Sequence, residues 1–219
     1  MEVHALDTFI LVFEIIGTVA FAVSGAVKGI KNNMDLFGVM ILGLVTGVGG
    51  GVMRDTILGN TPAIAFKNPL FALIAIFASV ITFVIIGLIW KRIKREIRNY
   101  DRSILFFADT VGLAVFTMTG VRIAQESGAE NFTAAVFIGV ITAVGGGVLR
   151  DVFCTEVPDV FKKHVYAVAS AAGGIVTLLC MKIMPEWVAV SVGFATIVIL
   201  RFLAAHFRWN LPKVNPENL

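Results

Sequence analysis

The chain has 219 residues, 58% of them hydrophobic and only 15% charged, with a mean hydropathy of +0.89. A soluble globular domain is roughly 45–50% apolar and about 25% charged, so this composition excludes one and indicates an integral membrane protein with the lipid bilayer as its partner. The net charge of +3 does not point to a nucleic-acid partner, because the basic residues gather in one short loop between apolar runs, where they set membrane orientation.

A span of lipid needs about 20 apolar residues, and seven such stretches follow in chain order. The N-terminus MEVHALDTF lacks the positive region of a signal peptide, so the first stretch, about 7–27, is expected as a retained span. It carries Glu14, Gly17, Phe21 and Gly25, spaced i, i+3, i+7 and i+11 on one helical face, with Ser24 beside them. The second, about 36–58, contains Thr46 and then GVGGGVMRD, residues 47–55. The third covers about 69–90. The linker KRIKREIRNYDR, 91–102, holds six Lys/Arg. The fourth, about 103–122, places Asp109, Gly112, Phe116 and Gly120 on one face, with Thr119 adjacent. The fifth, about 132–153, contains Thr142 and AVGGGVLRD, residues 143–151. The sixth (164–183) and seventh (186–206) are divided by Lys182 and the Pro185-Glu186 turn, and residues 207–219 form a tail.

The basic linker marks the cytoplasmic side. With seven spans the N-terminus is then outside and the C-terminus cytoplasmic. Thirteen Lys/Arg fall on segments so assigned inside and four (Arg54, Lys67, Arg122, Lys182) outside, with Arg201 left within the last span.

The two glycine signatures anchor an internal repeat. At an offset of 96, Gly49-Gly50-Gly51 meet Gly145-Gly146-Gly147, Arg54-Asp55 meet Arg150-Asp151, and Pro62 meets Pro158. At an offset of 95, Glu14 meets Asp109 and Gly17, Phe21 and Gly25 meet Gly112, Phe116 and Gly120. The chain thus reads as a single membrane domain, 1–219, made of two three-span units, 7–90 and 103–183, and a seventh span. Three is odd, so the second unit enters the membrane upside down, the inverted-repeat plan of many transport proteins.

Gly costs about 1 kcal/mol relative to Ala inside a helix. Three in a row predict a kink or short unwound stretch whose freed carbonyls face protein or water and suit a partly dehydrated monovalent cation. Small residues also let helices pack closely. A nucleotide loop is excluded: Val52 stands where the last glycine of G-x-G-x-x-G belongs, and no lysine follows. Charges at membrane depth face the bundle interior or water. Three readings of Arg54, Asp55, Arg150 and Asp151 follow: headgroup anchors, cross-repeat ion pairs (Arg54 with Asp151, Arg150 with Asp55), or charges lining a pore mouth. Glu14 and Asp109 are candidates to attract a cation along the pathway or to pair with an arginine. Ser24, Thr46, Thr119 and Thr142 are candidate pore hydroxyls. Cys154 and Cys180 show no metal-ligand spacing, no metal or other cofactor is expected, and no catalytic constellation points to an enzyme.

Two copies of GGG-x-x-RD, each with a proline seven residues after the aspartate, in seven spans of this length, resemble the prokaryotic members of the TRIC family, the trimeric intracellular cation channels, also named glycine-transporter domain proteins. The resemblance covers about residues 5–206. It implies a homotrimer in a bacterial or archaeal plasma (inner) membrane, with a pore in each protomer passing potassium and sodium. It implies that spans two and five are kinked at Gly49–Gly51 and Gly145–Gly147 and line that pore, with Arg54, Asp55, Arg150 and Asp151 as its charged ends. The lysine-glutamate-valine lipid motif of animal members is absent, so phosphoinositide dependence is not carried over. The alternative function is a secondary transporter of glycine or another small zwitterion.

Overall fold

The computed structural model describes residues 2–92, 97–128, 131–162 and 165–209, and the described residues are helical with no strands. The helices are α1 (Glu2–Lys31), α2 (Leu36–Ile57), α3 (Ile64–Lys67), α4 (Leu70–Arg92), α5 (Ile97–Glu126), α6 (Phe132–Phe153), α7 (Asp159–Lys162), α8 (Tyr166–Cys180) and α9 (Glu186–His206). Six are long and apolar enough to span a membrane, and α8 is a shorter apolar helix.

The predicted spans fall on these helices, with differences at the ends. α1 and α5 run beyond the expected 7–27 and 103–122, because hydropathy marks only the stretch that lipid selects, whereas a helix continues wherever its backbone bonds do. The expected linker 91–102 is largely helix: α4 ends at Arg92 and α5 begins at Ile97. Residues 93–96, and the tail beyond 209, lie outside the described residues. The sixth span, expected over 164–183, is only Tyr166–Cys180, about 22 Å at 1.5 Å per residue. Residues 181–184 close it in a turn, with Met184 N donating to Cys180 O at 2.8 Å, before Pro185 starts α9.

Local chemistry sets the starts of the two glycine-bearing helices. Asp35 caps α2, accepting from Gly38 N at 2.7 Å, and Asn131 caps α6, accepting from Thr133 N at 3.0 Å. The short helices α3 and α7 were not foreseen. Each follows a proline, and each begins where a motif aspartate accepts a backbone N–H: Asp55 Oδ2 from Ile64 N at 2.8 Å, Asp151 Oδ2 from Asp159 N at 2.9 Å. The spacing from aspartate to proline is thus the length of a loop that returns to its own aspartate.

α1, α2 and α4 pack mutually, and α5, α6 and α8 do the same, with α9 laid on α5 and α8. The two groups join through α1 against α5 and α2 against α6. Space for a side chain at Gly17 is taken by Val115, and at Gly112 by Phe21, so α1 and α5 run antiparallel. Phe21 and Phe116 pack beside that contact with centroids 5.2 Å apart and ring planes tilted by 31°. α5 is the most enclosed span and α4 the least, with Phe77, Ile81, Val84, Ile85 and Leu88 exposed. In lipid those side chains need no protein partner.

Candidate functional site

The glycine triplets meet. A Cβ on Gly50 would strike the Thr142 carbonyl and lie 3.4 Å from Gly146 N; a Cβ on Gly146 would strike the Thr46 carbonyl. α2 and α6 therefore cross backbone to backbone, as small residues permit, and the reciprocal 50–142 and 146–46 contacts make the crossing antiparallel. The expected unwound stretch does not form: α2 and α6 are each helical without interruption through their triplets. Removing side chains at the crossing lets both backbones keep their own hydrogen bonds while touching. Gly49 faces Leu149 and Gly145 faces Met53; a Cβ on Gly51 would lie 3.7 Å from Arg54 Nη2, and one on Gly147 would lie 3.1 Å from the Tyr166 hydroxyl and 3.8 Å from Arg150 Nη2.

The same logic places the threonines. Thr46 Oγ1 donates to Leu42 O and Thr142 Oγ1 to Ile138 O, both at 2.6 Å. A Cβ on Gly25 would meet Gly43 Cα at 2.8 Å, and one on Gly120 would meet Gly139 Cα at 2.8 Å. Thr46 and Thr142 thus sit inside two equivalent helix contacts, fully buried, rather than facing open space.

The charges form two groups at opposite ends of the crossing, since α2 and α6 end at opposite faces. One group surrounds Arg150, which is 1% exposed. Its Nε donates to Asp151 Oδ1 at 3.0 Å, and Nη1 donates to Asp109 Oδ1 at 2.7 Å and to Ser24 Oγ. Tyr166 Oη also donates to Asp109 Oδ1, at 3.1 Å. Arg201 Nη2 approaches Asp109 Oδ2 at 3.4 Å, its guanidinium lying 4.7 Å from the Tyr166 ring centroid and 5.0 Å from that of Phe106. Lys28 Nζ pairs with Glu156 at 2.7 Å and lies 3.6 Å from Asp151. Three cations thus face three carboxylates, as buried charges require. A cleft of about 460 Å³ borders this group, reaching Lys28, Asp109, Glu156, Asp159 and Arg201.

The other group lies where α1 begins and α2 ends. Arg54, 5% exposed, directs both Nε and Nη2 at Asp55 Oδ1, each at 2.8 Å. Arg122 Nε pairs with Glu126 at 2.7 Å and Glu186 at 3.0 Å. Arg54, Asp55, Arg122 and Glu126, with Glu14, Thr119 and Phe116, line a cavity of about 250 Å³ that reaches Gly47 and Gly51 of α2.

Two expectations are corrected. The cross-repeat pairs Arg54–Asp151 and Arg150–Asp55 do not form; each arginine holds the aspartate next to it. An antiparallel crossing puts the ends of α2 and α6 on opposite sides of the contact, so a cross-repeat pair would have to reach back past it. Nor are Arg54 and Arg150 anchors at the headgroups, because both are buried. The expected pairing of Asp109 with an arginine is present; Glu14 makes no hydrogen bond or ion pair among the described residues.

Lys28, Tyr166 and Arg201 were missed as site residues. Arg201 carried a usable signal, a lone charge in an apolar span, which by itself implies a buried partner. Lys28 was counted only as a topology marker. Nothing local to Tyr166 points to Asp109, 57 positions away.

Known proteins resemble this arrangement. The family model described as glycine transporter matches twice, at residues 11–86 and 106–182. The UPF0126 inner membrane protein YadS of Escherichia coli K12 is 37% identical over 201 residues, covering 91% of this chain and 93% of that one. A UPF0126 membrane protein of Deinococcus radiodurans is 35% identical, covering 91% of this chain and 89% of that one. A TRIC cation channel whose structure was solved to explain conductance matches with TM-score 0.79 at 37% identity, over 93% of this chain and 96% of that one. The TRIC trimeric intracellular cation channel orthologue of Rhodobacter sphaeroides matches with TM-score 0.83 at 30% identity, over 92% and 100%.

Proposed function

The chain belongs to the prokaryotic branch of the TRIC family, and from that premise we propose that it is a monovalent cation channel, passing potassium and sodium through a pore within each protomer of a homotrimer. The pathway runs beside the α2–α6 crossing and along the α1–α5 face. The observation that carries this reading is the arrangement of buried charge: two acid–arginine groups, one at each end of a glycine crossing, each opening on a cavity or cleft. A chain folded only to be stable has no use for charge there, since replacing a buried ion pair by apolar residues is often neutral or stabilising.

The two matches of one family model, and the antiparallel α1–α5 and α2–α6 contacts, support the inverted-repeat plan with units 7–90 and 103–183. In this reading the glycine triplets act as a pivot, letting α2 and α6 bend or slide at a contact with no side chains in it. Arg54, Asp55, Arg150, Asp151, Glu14 and Asp109 set the charge along the path, with Ser24 and Thr119 as its hydroxyls. The Lys/Arg distribution supports an N-terminus outside, a cytoplasmic C-terminus and residence in a prokaryotic inner membrane.

Purified protein in a planar bilayer under a potassium gradient tests the proposal. Unitary steps whose reversal potential follows that gradient are expected. Silent bilayers together with saturable glycine uptake into liposomes would overturn it in favour of a transporter.

A further inference from the structure

Matching the two halves by register sets Glu14 against Asp109, Thr119 against Ser24 and Arg54 against Arg150. In the second half the constellation is filled: the Arg150 guanidinium bridges the Ser24 hydroxyl and the Asp109 carboxylate. In the first half it is not. Arg54 turns to Asp55 through both Nε and Nη2, and Glu14 and Thr119 instead line the cavity of about 250 Å³. Thr119 is 3% exposed, and its hydroxyl is buried with no hydrogen-bond partner among the described residues. Buried polar groups are almost always satisfied, so an orphan hydroxyl lining a cavity marks a place where something binds.

The cavity's charge says what. Arg54 is compensated by Asp55, and Arg122 by Glu126 and Glu186. That leaves Glu14 as the carboxylate of this cavity that forms no ion pair among the described residues. An anion or a zwitterion would need a free guanidinium, and both arginines are engaged. A divalent ion takes six or more oxygens and usually several carboxylates, whereas one carboxylate and one hydroxyl are hard oxygens suited to an alkali ion. At about 30 Å³ per water, the cavity has room for about eight waters, enough for an ion that keeps part of its hydration shell.

We infer that this cavity is a binding site for a partly hydrated monovalent cation, held between the Glu14 carboxylate and the Thr119 hydroxyl in the position that the Arg150 guanidinium occupies in the other half. The choice of a permeant ion rests on the channel reading above; the site itself is a binding proposal, testable without current.

Crystals of the full-length protein soaked in thallium(I), a potassium surrogate, should show an anomalous peak in this cavity. In solution, KCl replacing N-methylglucamine chloride at constant ionic strength should raise the melting temperature saturably. Glu14→Gln should weaken that half-saturation roughly tenfold or more, the scale of a lost charge-assisted contact. Thr119→Val should weaken it less. Glu126→Gln removes an equal charge from the same cavity wall, but one already paired, and should shift it less than about threefold, the residue of a screened, partly exposed pair. No peak in the wild-type cavity, or an unchanged half-saturation in Glu14→Gln protein that elutes and melts normally, would overturn the site. Thallium bound here with silent bilayers would sink the channel reading and leave the site standing. Potassium-following currents with an empty cavity would do the reverse.

Discussion

Alanine scanning of Gly49-Gly50-Gly51 separates a packing role from a flexibility role, because the three glycines have different surroundings. At Gly50 an added Cβ meets backbone, the Thr142 carbonyl, which moves only if α2 and α6 move apart. At Gly49 it meets Leu149 Cδ1 at 2.6 Å, the end of a flexible side chain. At Gly51 its nearest neighbour is Arg54 Nη2 at 3.7 Å, an ordinary contact. Overpacking costs about 1–3 kcal/mol, while Ala in place of helical Gly gains up to about 1 kcal/mol. Gly50→Ala is then expected to lose about 1–2 kcal/mol and Gly51→Ala to gain up to about 1 kcal/mol, with Gly49→Ala between them. The gap of about 1–3 kcal/mol corresponds to about 2–12 °C in melting temperature for a chain of this size. Gly87→Ala in α4 is the control, since a Cβ there meets nothing within 4 Å. Scanning fluorimetry of detergent-purified variants reads the order directly. Equal melting temperatures for Gly50→Ala and Gly51→Ala would refute the close crossing. A loss of conduction in Gly51→Ala protein of undiminished stability would show that the triplet is needed for its flexibility.

Arg150→Leu strands Asp109 and Ser24 in a buried site, with only the 3.4 Å contact from Arg201 and the Tyr166 hydroxyl remaining to Asp109. A loss of about 3–5 kcal/mol is expected, and more than for Arg54→Leu, which takes the guanidinium from Asp55 alone, whereas Arg150 serves Asp109, Asp151 and Ser24. Equilibrium unfolding of the two variants compares them, and equal losses would count against the asymmetry of the two halves. Asp55→Ala removes the acceptor for Ile64 N, and Asp151→Ala that for Asp159 N. Each should cost about 1–2 kcal/mol as a lost cap and raise amide exchange in α3 or α7. Asp55→Ala should cost more, because Arg54 gives both Nε and Nη2 to Asp55, whereas Arg150 keeps Asp109 and Lys28 keeps Glu156 when Asp151 is removed. Burial pushes the Cys154 thiol up, so less thiolate is present at neutral pH. On a Cys180→Ala background, maleimide labelling of Cys154 should be slow at pH 7 and rise about tenfold per pH unit, without levelling before about pH 9. A plateau in the range where a thiol of ordinary pKa, about 8.5, saturates would show that burial does not raise this one.

Much of the architecture is local and therefore readable along the chain. Hydropathy located the spans of α1, α2, α4, α5, α6 and α9, because lipid selects apolar side chains one helix at a time. The register that pairs Glu14 with Asp109 and Gly49–Gly51 with Gly145–Gly147 is visible without coordinates. So is the odd count of spans per unit, from which the proposed inversion of the second is read. The weak places were those where the signal is shared between helix and lipid. The ends of α1 and α5 lie beyond the apolar window, α8 is shorter than its apolar stretch, and α3 and α7 are too short to have a period.

Which charge meets which was decided only by the tertiary structure. The motif Arg-Asp occurs twice in the same words, yet Arg54 closes on Asp55 while Arg150, besides holding Asp151, reaches Asp109 and Ser24 on two other helices. Identical local sequence cannot encode that difference; it depends on what α1 and α5 present at each end of the crossing. The glycines illustrate the same division. Their propensity cost is intrinsic and foretold a weak helix, but burial against a second backbone kept both helices whole. By itself the sequence determined a membrane protein of two matched halves, because hydropathy and periodicity are properties of single segments. That one half is filled by its own arginine and the other left open is a property of their packing.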